Sequence, residues 1–343
     1  MGLRRWAWAA VAVLVIACGG GQPAGAASPA RATTPPPGLQ ATGPSGPVAP
    51  PPTPAPGGPL VTLPGSLVLD PAPGGVLWTI ANGQYLFRSL DQGASWELRP
   101  HPPLGGRPEE SFIDAEQGWF EAGGSPATQC TSETVVIYHT VDAGSTWQRL
   151  AGTGLGEAGC KEQLSFVGAG RGFMADWDDF HPPVIYRTLD GGQSWTASAP
   201  LPDPPGFTTS SGGFTLHAGR VQAFGGILLV TAGSGQGVVF VYRSLDGGAT
   251  WAYLTTVPGP GASGPAFKTA GLWFQLVVPN GASETADSGA SWHPVPTDYS
   301  QAAPVSPAVV FADPQLGYAT VRGALARTLD GGAHWVGLRT PGT

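Results

Sequence analysis

Six consecutive residues, Asp176-Trp177-Asp178-Asp179-Phe180-His181, bring three carboxylates, two aromatic rings and an imidazole into one short stretch. Such a set suits a sugar stacked on the indole with its hydroxyls held by Asp, a cationic group on a partner peptide, or Ca²⁺ held by oxygen ligands. Asp176, Trp177, Asp178, Asp179 and His181 are therefore the expected ligand-binding residues. EF-hand spacing is missing around them, and so is a His/Cys cluster at zinc spacing. The chain also lacks a Gly-x-Ser-x-Gly turn, a Ser/His/Asp order and a phosphate loop. Acids such as Asp114, Asp176 and Asp313 are not paired across a glycosidase cleft by anything in the sequence. No catalytic residue, no metal and no cofactor is expected.

The three cysteines divide into one and two. Arg4 and Arg5 precede an apolar stretch from Trp6 to Ala17, which reads as a secretory signal. It falls short of the roughly 20 apolar residues that span a bilayer comfortably. The run Val15-Ile16-Ala17-Cys18 resembles the bacterial lipobox. That resemblance implies cleavage before Cys18 and diacylation of its thiol, so residues 1–17 are the expected lipoprotein signal peptide. Residues 18–59 are the expected lipid anchor and a Pro/Gly/Ala-rich tether, with Pro-Pro-Pro at 35–37 and again at 50–52. Such a segment buries too little apolar surface to offset its ordering entropy. The domain beyond it is expected at the outer face of the bacterial cytoplasmic membrane, attached through the N-terminal lipid. Cys130 and Cys160 remain as an even pair in an oxidising compartment, and a disulfide between them is expected. A bridge closing a loop of about 30 residues is worth roughly 3 kcal/mol when unstrained.

The elements that must position these groups repeat. One pattern, Ser/Thr-x-Asp-x-Gly-x-x-Trp, occurs six times: from Ser89, Thr140, Thr188, Ser244, Thr285 and Thr328. The Asp side chain can accept backbone N–H bonds in a tight turn, the Gly supplies a positive φ, and the Trp packs into a sheet stack. Asp91, Asp142, Asp190, Asp246, Asp287 and Asp330 are thus expected as turn-formers rather than ligands. Trp96, Trp147, Trp195, Trp251, Trp292 and Trp335 are their packing partners. Upstream of most of these turns lies a Gly followed by an aromatic or apolar run, as in Gly118-Trp119-Phe120 and Gly172-Phe173-Met174. Before that comes a strand such as Ser111-Phe112-Ile113-Asp114, and after the Trp a short one such as Gln148-Arg149-Leu150, so each unit supplies four strands. The motif aspartates lie 51, 48, 56, 41 and 43 residues apart, about one propeller blade each.

These segments resemble the Asp box, or BNR repeat, of sialidases, of sortilin/Vps10-type receptor domains and of propellers like the photosystem II stability/assembly factor. The resemblance covers residues of about 60–343. It implies an all-β, six-bladed β-propeller of four-stranded antiparallel blades with Asp-box turns; the alternative is seven blades, because assembly-factor propellers generally have seven. Radial closure also removes the exposed sheet edges, and Leu60–Leu63 is a candidate closing strand. The family's functional loops usually lie opposite the boxes, on the face of the B–C and D–A connections. There Glu121 to Glu133, carrying Cys130, Ala151 to Gln163, carrying Cys160, and Asp176 to His181 are the long segments.

A sialidase would need an arginine triad and usually shows Arg-Ile-Pro, which this chain lacks. Arg88, Arg187, Arg243 and Arg327 each precede a box, which puts them on the box face. The preferred reading is a non-catalytic binding or assembly module for an envelope protein or glycan, acting as a monomer. The alternative is a sialidase-like glycoside hydrolase without the usual arginine motif. A formal charge of −7 and only two lysines, Lys161 and Lys268, leave no basic stripe for phosphate backbones, which argues against nucleic acid.

Overall fold

The computed structural model describes residues 65–123, 133–157, 159–178, 181–209, 215–234, 237–259, 264–301 and 305–341. Cys18, the 18–59 tether, Leu60–Leu63, Cys130, Asp179 and Phe180 lie outside the described residues. The described chain forms six antiparallel sheets arranged in a ring, a six-bladed β-propeller. Blade 1 runs β1 (Leu67–Ala72), β2 (Val76–Ala81), β3 (Tyr85–Ser89) and β4 (Glu97–Arg99). Blade 2 runs β5 (Arg107–Phe112), β6 (Gly118–Gly123), β7 (Val136–Thr140) and β8 (Gln148–Arg149). Blade 3 runs β9 (Cys160–Gly168), β10 (Arg171–Trp177), β11 (Val184–Thr188) and β12 (Thr196–Ala197).

Blade 4 departs from the four-strand expectation. Its inner strand is split into β13 (Leu216–Ala218) and β14 (Gln222–Phe224), both paired with β15 (Ile227–Ser234), followed by β16 (Val239–Ser244) and β17 (Ala252–Thr256). Blade 5 runs β18 (Ala266–Phe267), β19 (Trp273–Val277), β20 (Gly281–Thr285) and β21 (His293–Val295). Blade 6 runs β22 (Ala308–Phe311), β23 (Gly317–Val321), β24 (Ala324–Thr328) and β25 (Val336–Leu338).

The six motif turns share one hydrogen-bond scheme. In blade 3 the Thr188 hydroxyl donates to Asp190 Oδ1 at 2.8 Å and accepts the Gly192 N–H at 2.9 Å. Ser194 donates its N–H to Oδ1 at 2.9 Å and its hydroxyl to Oδ2 at 2.5 Å. These bonds hold the Asp190 carboxyl down at about 2, the Ser194 hydroxyl contributing most. The turn is tied to its own blade as well: the Gly191 N–H reaches the Gly170 carbonyl in the A–B turn at 3.0 Å. Box and A–B turns therefore share one face of the ring.

Each motif Trp is a wedge driven into the preceding blade. Trp147 packs with Trp78, Ile80 and Leu86 of blade 1, and Trp195 with Trp119, Ile137 and Leu150 of blade 2. Trp251, Trp292 and Trp335 repeat this against blades 3, 4 and 5. Trp96 packs with Tyr318, Leu325 and Leu338 of blade 6, and its indole N–H reaches the Arg339 carbonyl at 3.1 Å, so the same wedge closes the ring. Among the described residues no strand is exchanged between blades. Truncating one such indole costs roughly 3–5 kcal/mol.

Gly172, which opens β10, shows why a glycine precedes the aromatic run. A Cβ there would sit 2.6 Å from the Phe166 ring. That ring stacks on Trp119 of blade 2 at 3.7 Å between centroids, so it has nowhere to retreat.

Candidate functional site

On the face opposite the boxes, the start of blade 3 and its B–C connection enclose an open depression of about 340 Å³. Asp176, Trp177, Asp178, His181 and Tyr186 line it together with Glu157. Four of the five expected ligand-binding residues thus meet at one place; Asp179 lies outside the described residues. Asp176 and Trp177 are not loop residues, however. They end β10, in register with Lys161 and Cys160 of β9.

Strand alternation sends neighbouring side chains to opposite faces of the blade. The Trp177 indole lies over the His217 imidazole of blade 4 at 3.7 Å, and Asp176 meets Lys161. The Lys161 side chain is fully buried, with its ammonium 3.4 Å from Asp176 Oδ2 and 3.2 Å from the Gly159 carbonyl. Burial pushes the Asp176 carboxyl up to about 6 against the opposing pull of Lys161. Asp178 closes a local turn by accepting both the His181 N–H at 2.7 Å and its Nδ1 at 2.8 Å. The site is a half-open aromatic surface whose two described aspartates already have cationic or N–H partners.

Cys160, paired with Trp177 across the β9–β10 ladder, is disulfide-bonded, with Arg107 Nη1 3.8 Å from its sulfur. It belongs to β9 rather than to a connection, and so does Gln163. Glu121, read above as the start of a loop, lies inside β6 opposite Glu109. The strand runs three residues further than its aromatic core suggests, because Glu121 is 1 % exposed and enters the interface with blade 3. The four arginines before the boxes do belong to the box face where their bonds are described. Arg88 donates to the Ala115 carbonyl of the next blade at 2.7 Å, and Arg327 to that of Gln92 at 3.1 Å.

The largest surprise lies on the axis. The inner strands carry carboxylates: half-buried Asp70 on β1 and Glu109 on β5, and fully buried Glu110 on β5, with buried Glu121 of β6 behind them. Glu110 is 0 % exposed, and neither carboxyl oxygen has a hydrogen-bond partner among the described residues. Burial raises the carboxyls of Asp70 and Glu109, and raises those of Glu110 and Glu121 well above the ordinary range. Lys161 lies near Glu121, and Arg220 faces all four. The gap between β13 and β14 bulges the chain at Gly219-Arg220-Val221, and such a bulge re-aims its side chains. Arg220 crosses from blade 4 to donate to the Glu110 carbonyl at 2.7 Å and to pair with Asp70 Oδ1 at 3.3 Å. It forms the neck between two cavities of the central channel, about 390 Å³ on the loop side and 310 Å³ on the box side. A hint existed in the sequence: in a chain with 11 % charged residues, two adjacent glutamates before an aromatic strand end are unusual passengers.

No protein-family profile matches the chain, and no curated protein matches it. Solved structures do. YCF48 from Cyanidioschyzon merolae aligns over 81 % of this chain and 86 % of its own, at 19 % identity and a TM-score of 0.50. A structure of YCF48 bound to D1 peptide aligns over 80 % and 81 %, at 18 % identity and 0.49. The GH74 xyloglucanase from Xanthomonas campestris aligns over 81 % of this chain but 45 % of its own, at 19 % identity and 0.47. At these identities the likeness to the first is one of fold, a β-propeller of this kind.

Proposed function

We propose that this chain is a non-catalytic binding module, exported and held by a lipid on Cys18 at the outer face of the bacterial cytoplasmic membrane. It engages an envelope protein or glycan through the loop face of blades 2 and 3. The observation that carries this reading is the depression around Trp177. It offers aromatic surface and polar edges, while Lys161 answers Asp176 and His181 answers Asp178. A glycosidase needs two carboxyls facing one bond, about 5–10 Å apart, with their proton affinities driven in opposite directions. Here the pairing is acid with base, which favours recognition over proton transfer. Export and anchoring rest on the signal-like N-terminus, Cys18 and the Pro-rich tether.

The test uses the full chain in its native host envelope. Cys18→Ala should release the protein from the membrane fraction. Binding to isolated envelope glycan and to reconstituted envelope proteins, read by surface plasmon resonance, should fall at least tenfold in Trp177→Ala, the loss of one stacking contact of about 1.4 kcal/mol. Turnover of a sialoside or β-glucan by the purified chain, abolished by Asp176→Asn, would replace this reading with the hydrolase one.

A further inference from the structure

We propose that the box-side cavity of the central channel is a second binding site, for a neutral polyhydroxylated ligand of the size of one sugar ring. The site is independent of the Trp177 depression and lies at the other end of the axis. Its volume of about 310 Å³ is within the range of small-molecule pockets. Inner strands of five blades supply its wall, among them the segments 111–113, 165–167 and 310–312. Its floor is the Arg220 to Asp70 pair, which is long at 3.3 Å and leaves both side chains partly open, 19 % and 15 % exposed. Ser111 and Ser165 also belong to the lining, but the Ser111 hydroxyl already accepts the Phe166 N–H at 2.8 Å and the Ser165 hydroxyl is buried, so the Arg220 to Asp70 pair carries the polar contacts.

The ligand class follows from this inventory. Asp70 Oδ2 already accepts the Phe112 N–H, but Oδ1 holds only the distant guanidinium, and Arg220 keeps N–H groups beyond those given to Glu110 and Asp70. A hydroxyl can donate to Asp70 and accept from Arg220 at once, which no simple ion does. An anion entering here would meet Arg220 but also Asp70, with Glu109, Glu110 and Glu121 behind, and a cation would meet the guanidinium at contact distance. Neutral groups carrying both donors and acceptors are left.

The experiment is saturation-transfer NMR and calorimetry on the full chain with methyl glucoside, N-acetylglucosamine and mannose, against glucuronate and glucosamine. Neutral sugars should bind at millimolar concentration, with glucuronate at least tenfold weaker. Ala223→Trp, which fills the cavity from a half-buried position, should abolish binding. Trp177→Ala should leave it unchanged, which separates this site from the loop-face one. No saturation transfer from any neutral sugar, equal binding of glucuronate, or binding that survives Ala223→Trp but not Trp177→Ala would overturn the proposal.

Discussion

Replacing Glu110 by Gln should make the protein's stability less dependent on pH, and the size of the change can be worked from burial alone. Glu110 is fully buried with two unpartnered oxygens, and burial raises its carboxyl well above the ordinary range despite the nearby Arg220. The folded chain therefore keeps a proton that the unfolded chain releases above an ordinary Glu value of about 4.3. Below that value both states hold it and the contribution is intact. As pH rises, stability is lost at about 1.4 kcal/mol per pH unit for this one proton, until the folded-state value is passed. From pH 5 to pH 7 the loss is about 2.8 kcal/mol while Glu110 stays protonated when folded. Gln occupies the same volume, is equally unpartnered and never ionises. The gap between variant and parent should therefore widen by up to that amount from pH 5 to pH 7. Urea unfolding followed by tryptophan fluorescence at pH 5, 6 and 7 reads this directly. Titration of the box aspartates falls below this window, and any change at His139 or His334 is common to both proteins. A gap between variant and parent that is constant across the three pH values, or that narrows as pH rises, refutes the reasoning.

Gly172→Ala should cost about 1–3 kcal/mol, read as a lowered melting temperature, because the new methyl enters the Phe166 ring pinned on Trp119. Gly226→Ala, with nothing within 4 Å, is its silent control. Arg220→Met should destabilise by about 3–5 kcal/mol in urea titrations, by stranding Asp70 in the channel, and adding Asp70→Asn should recover part of that loss. Asp142→Ala removes the acceptor for the Thr146 N–H and hydroxyl and should cost about 1.5 kcal/mol at neutral pH. Burial pulls this carboxyl up, but the bonds from Thr146 and Thr140 outweigh it and hold the group low. The difference between Asp142→Ala and the parent should therefore shrink as pH falls below about 4, where the parent's carboxylate takes up its proton.

The blade count and the order of strands were legible because the information is local. A Ser or Thr hydroxyl, an Asp and a Gly within five residues satisfy one another, so the turn announces itself wherever the pattern occurs. The Trp three residues after the Gly then fixes contact with the preceding blade. What periodicity could not reveal is where a strand stops. Asp176, Trp177, Cys160 and Glu121 are polar or mixed residues at or near strand ends, and alternation alone assigns them to loops, because a strand is expected to end where its apolar alternation ends. In the fold they stay paired because the neighbouring blade supplies partners: Lys161 for Asp176, His217 for Trp177.

The channel neck was illegible for a different physical reason. Arg220 and Glu110 are 110 residues apart, and their meeting depends on a single bulge that interrupts blade 4 after three paired residues. Nothing in the local sequence of Gly219-Arg220-Val221 distinguishes a bulge aimed at the axis from a surface turn. The distinction comes only from ring closure, which brings the inner strands of blades 1, 2 and 4 round one narrow space. A ring of six blades brings its inner strands round a narrow channel that solvent screens poorly, so an acid there is answered from across the channel or has its proton affinity raised. Arg220 answers Asp70, and burial raises the carboxyls of Glu110 and Glu121 well above the ordinary range. That division explains how a chain with few charges can bury several acids on its axis against one arginine, and why the polar pair at the neck, rather than the more numerous box aspartates, is where this fold leaves donors and acceptors unspent.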